Sequence, residues 1–102
     1  MAARRRVDWA PRAQAALDEA VAFVAQDSPS GALRILEQAL AAAASLATLS
    51  ERGRVAPERN APGLREVFVF RYRLLYEVHP DLVRIVAFLH GARDFESWQR
   101  RQ

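Results

Sequence analysis

The sequence contains no cysteine and no lysine, and it has only two histidines. Without cysteine the chain cannot form disulfides, thiolate zinc sites, iron–sulfur clusters or a thiol nucleophile, and a reducing cytoplasm is the expected compartment. Without lysine it has neither a Schiff-base amine nor the lysine of a phosphate-binding loop. Two histidines that are distant in sequence do not make a metal site. We therefore expect no metal and no cofactor.

The length of 102 residues predicts a single domain, residues 1–102, with one thin core. All 15 basic residues are arginines, and there are 12 acidic residues. Residues 1–51 hold five arginines and six acids, whereas residues 52–102 hold ten arginines and six acids. The positive second half suits contact with nucleic acid or with an acidic protein partner.

Residues 1–6 read as a basic N-terminal arm that runs directly into a strand-like segment. No apolar region follows these arginines, so a signal peptide is not expected. The longest apolar run, around residues 39–44, is mostly alanine and too short to cross a bilayer. We expect a cytoplasmic protein without membrane contact.

Two helices are predicted after a short first strand at residues 7–9. Pro11 suits the first position of a helix, where its missing N–H costs nothing. The apolar stripe of this helix consists of Ala13, Ala16, Leu17, Ala20, Phe23 and Val24. Ser28 predicts an N-cap, with Pro29 opening a second helix that ends near Ser50. Because the connection is short, the two helices should form an antiparallel hairpin.

The second half predicts an irregular loop followed by three strands. Glycine, proline and asparagine mark the loop over residues 51–63. Alternating aromatic and β-branched residues then predict strands at residues 64–69, 72–78 and 82–90, joined by short turns in an antiparallel meander. The order β-α-α-β-β-β predicts an α+β fold of two layers, a helical hairpin packed on a small antiparallel sheet. Residues 94–102 form a predicted C-terminal tail.

Strict alternation assigns the side chains of the last two strands to two faces. The helix-covered face is expected to hold Tyr72, Leu74, Tyr76, Val78, Val83, Ile85, Ala87 and Leu89. The opposite face is expected to hold Arg73, Leu75, Glu77, Arg84, Val86, Phe88 and His90. A surface that mixes charge with exposed apolar side chains usually marks a partner site on a small protein.

Several short motifs resemble, in their order along the chain, the RelE/ParE toxin superfamily of bacterial type II toxin–antitoxin systems. The motifs are Val7-Asp8-Trp9 with Ala13 and Leu17, Phe23-Val24-Ala25-Gln26-Asp27-Ser28-Pro29, Gly53-Arg54, Leu64-Arg65-Glu66, Tyr72-Arg73-Leu74-Leu75-Tyr76 and His90-Gly91-Ala92-Arg93-Asp94. The resemblance covers about residues 7–94. It implies the two-layer fold and a small intracellular toxin that is silenced by a cognate antitoxin, whose C-terminal segment wraps around it. A dimer, or a heterotetramer with the antitoxin, is the implied assembly.

The superfamily divides by target, which leaves three hypotheses. ParE-like members inhibit DNA gyrase through protein–protein contact and have no nuclease chemistry, and the long helical hairpin and the absence of lysine favour this group. RelE-like members are ribosome-dependent mRNA endonucleases. The third hypothesis is a relative that binds its antitoxin but is not toxic, or a small RNA-binding domain.

Two sets of candidate site residues are expected, one for a nuclease and one, on the mixed apolar and charged face, for antitoxin binding. A nuclease would use Arg54, Arg65, Arg73 and His90, the arginines on the phosphate and the histidine as acid or base. That set is incomplete, because Gly91 stands where such nucleases tend to carry a tyrosine and Glu58 matches no motif. Arg65 and Arg73 are alternatively ion-pair partners of Glu66 and Glu77. The antitoxin is expected to cover Arg65, Arg73, Leu75, Arg84, Val86 and Phe88.

Overall fold

The computed structural model describes residues 4–56 and 63–90. In chain order, its elements are strand β1 (Arg6–Trp9), helices α1 (Pro11–Ala25) and α2 (Pro29–Ser45), and strands β2 (Arg54–Val55), β3 (Leu64–Val69), β4 (Tyr72–Val78) and β5 (Leu82–His90). The predicted two-layer α+β architecture is confirmed. Neither α1 nor α2, the helices of the described ranges, has the length and apolar character that a membrane crossing requires.

The helices begin where their N-terminal residues predict. Pro11 is the first residue of α1, and Ala10 before it is extended. Ser28 caps α2: its Oγ accepts a hydrogen bond from the N–H of Gly31 at 3.0 Å, and Pro29 follows as the first helical residue. The helix ends at Ser45, earlier than the predicted end near Ser50, and the residues that follow form turns.

The sheet has the strand order β1-β5-β4-β3-β2. The meander β3-β4-β5 is antiparallel as predicted, but β1 pairs with β5 in parallel, so the sheet is mixed. Two helices separate β1 from the meander, and no tight turn therefore constrains its direction. The short strand β2, which pairs with β3 at Arg65 and Glu66, lies in the segment predicted as an irregular loop.

The face assignment of β5 is wrong beyond Ile85. Leu75 pairs with Ala87 and Tyr76 pairs with Ile85, so Val86 is an extra residue that forms a β-bulge. The bulge reverses the alternation for the rest of the strand. Phe88 consequently points to the helix-covered face, and its side chain is buried in the main core.

Two clusters of buried side chains lie on opposite faces of the sheet. The main cluster lies between the sheet and the helices and includes Leu17, Ile35, Leu74, Tyr76 and Ile85. The smaller cluster consists of Ala56, Leu64, Leu75, Ala87 and Leu89, with Val86 partly buried beside it. Leu75 has no exposed surface, so the expected mixed apolar and charged patch does not form a continuous outer surface.

The N-terminal arm is fixed to the domain at Arg5. Its N–H donates to the carbonyl of Ala47 at 2.7 Å, its Nε to the carbonyl of His79 at 2.9 Å, and its Nη1 to Ser50 Oγ at 3.1 Å. Arg6 already belongs to β1. Arg5 therefore joins the end of α2 to the β4–β5 turn, and the predicted arm 1–6 does not extend to these two residues.

Candidate functional site

A buried carboxylate organises the charges on the helix-free face of the sheet. The side chain of Glu66 has no exposed surface. Its Oε1 accepts a hydrogen bond from Nε of Arg73 at 2.6 Å and lies 2.6 Å from Nη2 of the same arginine in an ion pair, and its Oε2 accepts a hydrogen bond from Nε of Arg54. The predicted ion pair of Arg73 with Glu66 is thereby confirmed. We call Arg54, Glu66 and Arg73 the charge triad.

The two arginines of the charge triad differ in exposure. The side chain of Arg73 is 7% exposed, whereas that of Arg54 is 62% exposed. The Arg54 guanidinium also lies 5.6 Å from the ring centroid of Phe68, in a cation–π contact. Arg54 thus presents a fixed positive charge at the edge of the sheet, while Arg73 neutralises Glu66 from within.

Arg65 lies on the other face of β3 and has a different role. Its Nη1 donates to the carbonyls of Gly53, at 2.7 Å, and of Glu51, at 3.4 Å. The N–H of Gly53 in turn donates to the phenol oxygen of Tyr76 at 2.9 Å. Arg65 and Tyr76 together hold the segment between α2 and β2 against the sheet. Arg65 was expected to pair with a carboxylate, but alternation along β3 turns it away from Glu66.

The phenol of Tyr76 titrates above its usual range. Burial raises its pKa from the usual value of 10.0, and the hydrogen bond from Gly53 and the charges of Arg65 and Arg52 oppose that rise. The folded state therefore holds this proton at a pH where the unfolded state has lost it. The corresponding stability is fully present below about pH 10 and is lost as the pH rises further.

The variant Tyr76→Phe should isolate this pH dependence. At pH 8 we expect it to be less stable than the parent by about 1–2 kcal/mol, because the buried N–H of Gly53 loses its acceptor. The difference should shrink as the pH rises above about 10, since only the parent has a phenol to ionise at this position. Urea unfolding of both proteins between pH 8 and pH 11 measures this difference in stability. A difference that stays constant over that range would contradict the raised pKa of Tyr76.

A cleft of about 640 Å³ opens between α1 and the ends of β4 and β5. Tyr72 and Phe88 form its floor with rings stacked at 4.8 Å, and His90 packs edge-on against Tyr72 at 5.1 Å. Phe23, 68% exposed, stands on its wall with Arg12 and Glu19. We call this space the aromatic cleft.

The aromatic cleft continues into a neighbouring cleft of about 380 Å³ between the two helices and the β3–β4 turn. Phe23, Tyr72 and His90 border both spaces, and Phe70 and Arg71 of the turn close the second one. Phe70 has a positive φ of 56° and is 58% exposed. This backbone conformation is strained for a bulky residue, and strained backbone is found preferentially at functional positions.

The structure does not bring the predicted catalytic residues together. Arg54 and Arg73 share Glu66 on the helix-free face, while Arg65 lies on the other face, opposite Tyr76. His90 pairs with Tyr72 of β4. Tyr72 lies four residues, or about 13 Å, along β4 from Tyr76, which is the residue that pairs with Arg65. Glu58, residues 91–94 of the last motif and the tail 94–102 lie outside the described residues.

The predicted antitoxin-binding set is divided as well. Leu75, Arg73 and Phe88 are 0%, 6% and 4% exposed. Arg84 is accessible, and its Nη2 lies 3.6 Å from Oδ2 of Asp8. Three of the six residues therefore offer almost no surface to a partner, in the case of Phe88 because the bulge at Val86 turns it inward.

Sequence reasoning missed the exposed aromatic residues. Phe23 was assigned to the buried stripe of α1, although it is the bulkiest member of that stripe and follows smaller side chains. Phe70 falls between the predicted strands 64–69 and 72–78, in a turn to which the sequence analysis gives no function. A signal was present, because two-residue hairpin turns favour glycine, asparagine or aspartate over phenylalanine.

The described residues contain no group of three or more histidine, aspartate or glutamate side chains that could hold a metal ion. The arginines and exposed aromatic rings described above offer charge and apolar surface for the recognition of a partner.

Comparison with known proteins gives two positive results. The family model described as the ParE toxin of type II toxin–antitoxin system, parDE, matches residues 7–95. The fold is similar to that of a solved structure titled "Chromosomal ParDE TA system from P. aeruginosa", with a TM-score of 0.73 and 17% sequence identity over 87% of this chain and 98% of that chain. No curated protein sequence matches. With the family match extending from β1 to beyond β5, this chain belongs to the family of ParE toxins of type II toxin–antitoxin systems.

Proposed function

We propose that this protein is a cytoplasmic toxin that inhibits DNA gyrase by protein–protein contact and is neutralised by a cognate antitoxin. The observation that carries the first part is the separation of the candidate nuclease residues. Cleavage of RNA needs a base, an acid and a phosphate-binding cation around one reacting group. Here the arginines and His90 lie on two faces of the sheet, and Glu66 already occupies two of the arginines.

The antitoxin is proposed to bind in the aromatic cleft. The exposed ring of Phe23 and the partly buried ring of Tyr72 offer apolar contact area, and Phe88 stacks beneath Tyr72 and supports it. Arg34 and Arg71 line the adjoining cleft. An amphipathic segment with apolar side chains on one face and acidic side chains at its margins fits this arrangement, as in other helix-in-groove complexes.

Supercoiling by purified gyrase in the presence of this protein tests the target. We expect inhibition by the parent and by His90→Ala alike, because no catalytic histidine is involved. Ribosome-dependent cleavage of mRNA, measured in parallel, should be absent for both. If the parent cleaves mRNA, leaves supercoiling unaffected and loses cleavage in His90→Ala, the protein is instead a RelE-like nuclease.

The variant Phe23→Ala tests the antitoxin site. We expect it to weaken antitoxin binding by about tenfold or more, as loss of a central aromatic anchor does. Leu33→Ala is the matched control, since Leu33 is 54% exposed on α2 but borders neither cleft. Calorimetric titration with the product of the adjacent reading frame gives both affinities. Equal antitoxin affinities of the two variants would show that the antitoxin does not bind in the aromatic cleft.

A further inference from the structure

Two exposed aromatic side chains lie at the outer edge of the sheet, one on β3 and one in the β3–β4 turn. Phe68 and Phe70 are each 58% exposed. They border a separate cleft of about 380 Å³ against α2, with Gln38 and Arg52 on its other side. Strand β2 pairs with β3 at Arg65 and Glu66, and no other strand among residues 4–56 and 63–90 pairs with this edge of β3. We call Arg52, Arg54, Phe68 and Phe70 the edge platform.

The charge on the edge platform is positive and held in position. The Arg54 guanidinium is fixed over the Phe68 ring by its bond to Glu66, and Arg52 donates through Nη1 to Ser45 Oγ at 2.8 Å. No acidic side chain is among the described residues that line this cleft. Glu66, the nearest carboxylate in the network, is buried and paired with two arginines. The platform therefore attracts anions.

We propose that the edge platform binds single-stranded nucleic acid. Unpaired bases stack on exposed aromatic rings and on arginine planes, while their phosphates pair with neighbouring guanidinium groups. The platform combines both elements: the rings of Phe68 and Phe70, and the charges of Arg52 and Arg54. A duplex keeps its bases stacked inside, so the rings gain nothing from it. The site is independent of the gyrase proposal and is distinct from the aromatic cleft; it shares Phe70 with the cleft that adjoins the aromatic cleft.

Fluorescence anisotropy of the full chain with labelled strands of about 12 nucleotides, a length within the usual range of such sites, tests the proposal. We expect oligo-dT and oligo-U to bind, and a duplex of the same length to bind more weakly. Phe68→Leu should weaken strand binding by about tenfold, because it keeps an apolar side chain but removes the stacking face. Phe68→Trp should retain binding.

Two further variants separate stacking from general charge. Arg52→Ala should reduce the slope of log affinity against log salt by about 0.7, the value for one phosphate contact on a single strand. Phe23→Leu, which changes an exposed ring outside the platform, should leave strand binding unchanged. Urea unfolding of each variant checks that the fold is retained, as expected for substitutions at exposed positions.

Three results would overturn the proposal. The first is the absence of strand binding at low salt. The second is equal binding of duplex and single strand with no effect of Phe68→Leu, which would indicate only general attraction to polyanions. The third is selective binding of single strands that neither Phe68→Leu nor Arg52→Ala changes, which would place the strand elsewhere on the protein.

Discussion

Replacing Arg73 by methionine is expected to lower the free energy of unfolding by about 3–5 kcal/mol, the usual cost of removing one partner of a buried ion pair. Glu66 would remain buried, and its Oε1 would lose both the hydrogen bond from Arg73 Nε and the ion-pair contact with Arg73 Nη2. Arg54 alone cannot compensate, because it is largely exposed and bonds the other oxygen. Urea unfolding at pH 7 measures the effect.

The double variant Arg73→Met with Glu66→Leu is the control for this prediction. It removes both buried charges, so a large part of the lost stability should return. Arg54→Ala provides a second comparison and should cost only about 0.5–1 kcal/mol, since exposed ion pairs contribute little. If Arg73→Met and Arg54→Ala destabilise the protein equally, Arg73 is not the principal partner of Glu66.

The fold was predictable where the signals are local. Pro11, Pro29 and Ser28 act within one helical turn, and the helices begin at the predicted residues. The direction of β1 was not predictable, because it depends on pairing with β5 more than seventy residues later. The bulge at Val86 was equally hidden, since a valine between an isoleucine and an alanine carries no bulge signature.

The candidate site was likewise predictable from local motifs but not from long-range packing. Arg54 and Arg73 were singled out from motifs, and the structure joins them through Glu66, a residue considered only as an ion-pair partner. The exposure of Phe23 and Phe68 depends on how helices and strands pack against one another, which a single sequence does not encode locally. Alternation alone predicted Phe88 on the outer surface, and one extra residue in β5 was enough to reverse it.

Gly53→Ala is expected to destabilise the protein by roughly 2–4 kcal/mol, the sum of overpacking and a weakened buried hydrogen bond. A Cβ atom at this position would lie 2.5 Å from the phenol oxygen of Tyr76 and 2.6 Å from the backbone carbonyl oxygen of Glu66. The carbonyl belongs to a central part of β3 and cannot move without disturbing the pairing with β2 and β4. The segment before β2 must therefore shift, which weakens the bonds from Arg65 and to Tyr76.

Gly63→Ala is the matched control for this substitution. A Cβ atom there would meet nothing within 4 Å, so the change should be neutral or slightly stabilising through the lower entropy of the unfolded chain. Adding Tyr76→Phe to Gly53→Ala removes the clash with the phenol oxygen but leaves the clashes with the carbonyl of Glu66 and with the ring carbon Cε1, 2.9 Å away, so only part of the stability should return. Full recovery in the double variant would mean that the phenol oxygen alone limits the space at Gly53. Equal stability of Gly53→Ala and Gly63→Ala would show that the close approach of this segment to β3 and β4 is absent in solution.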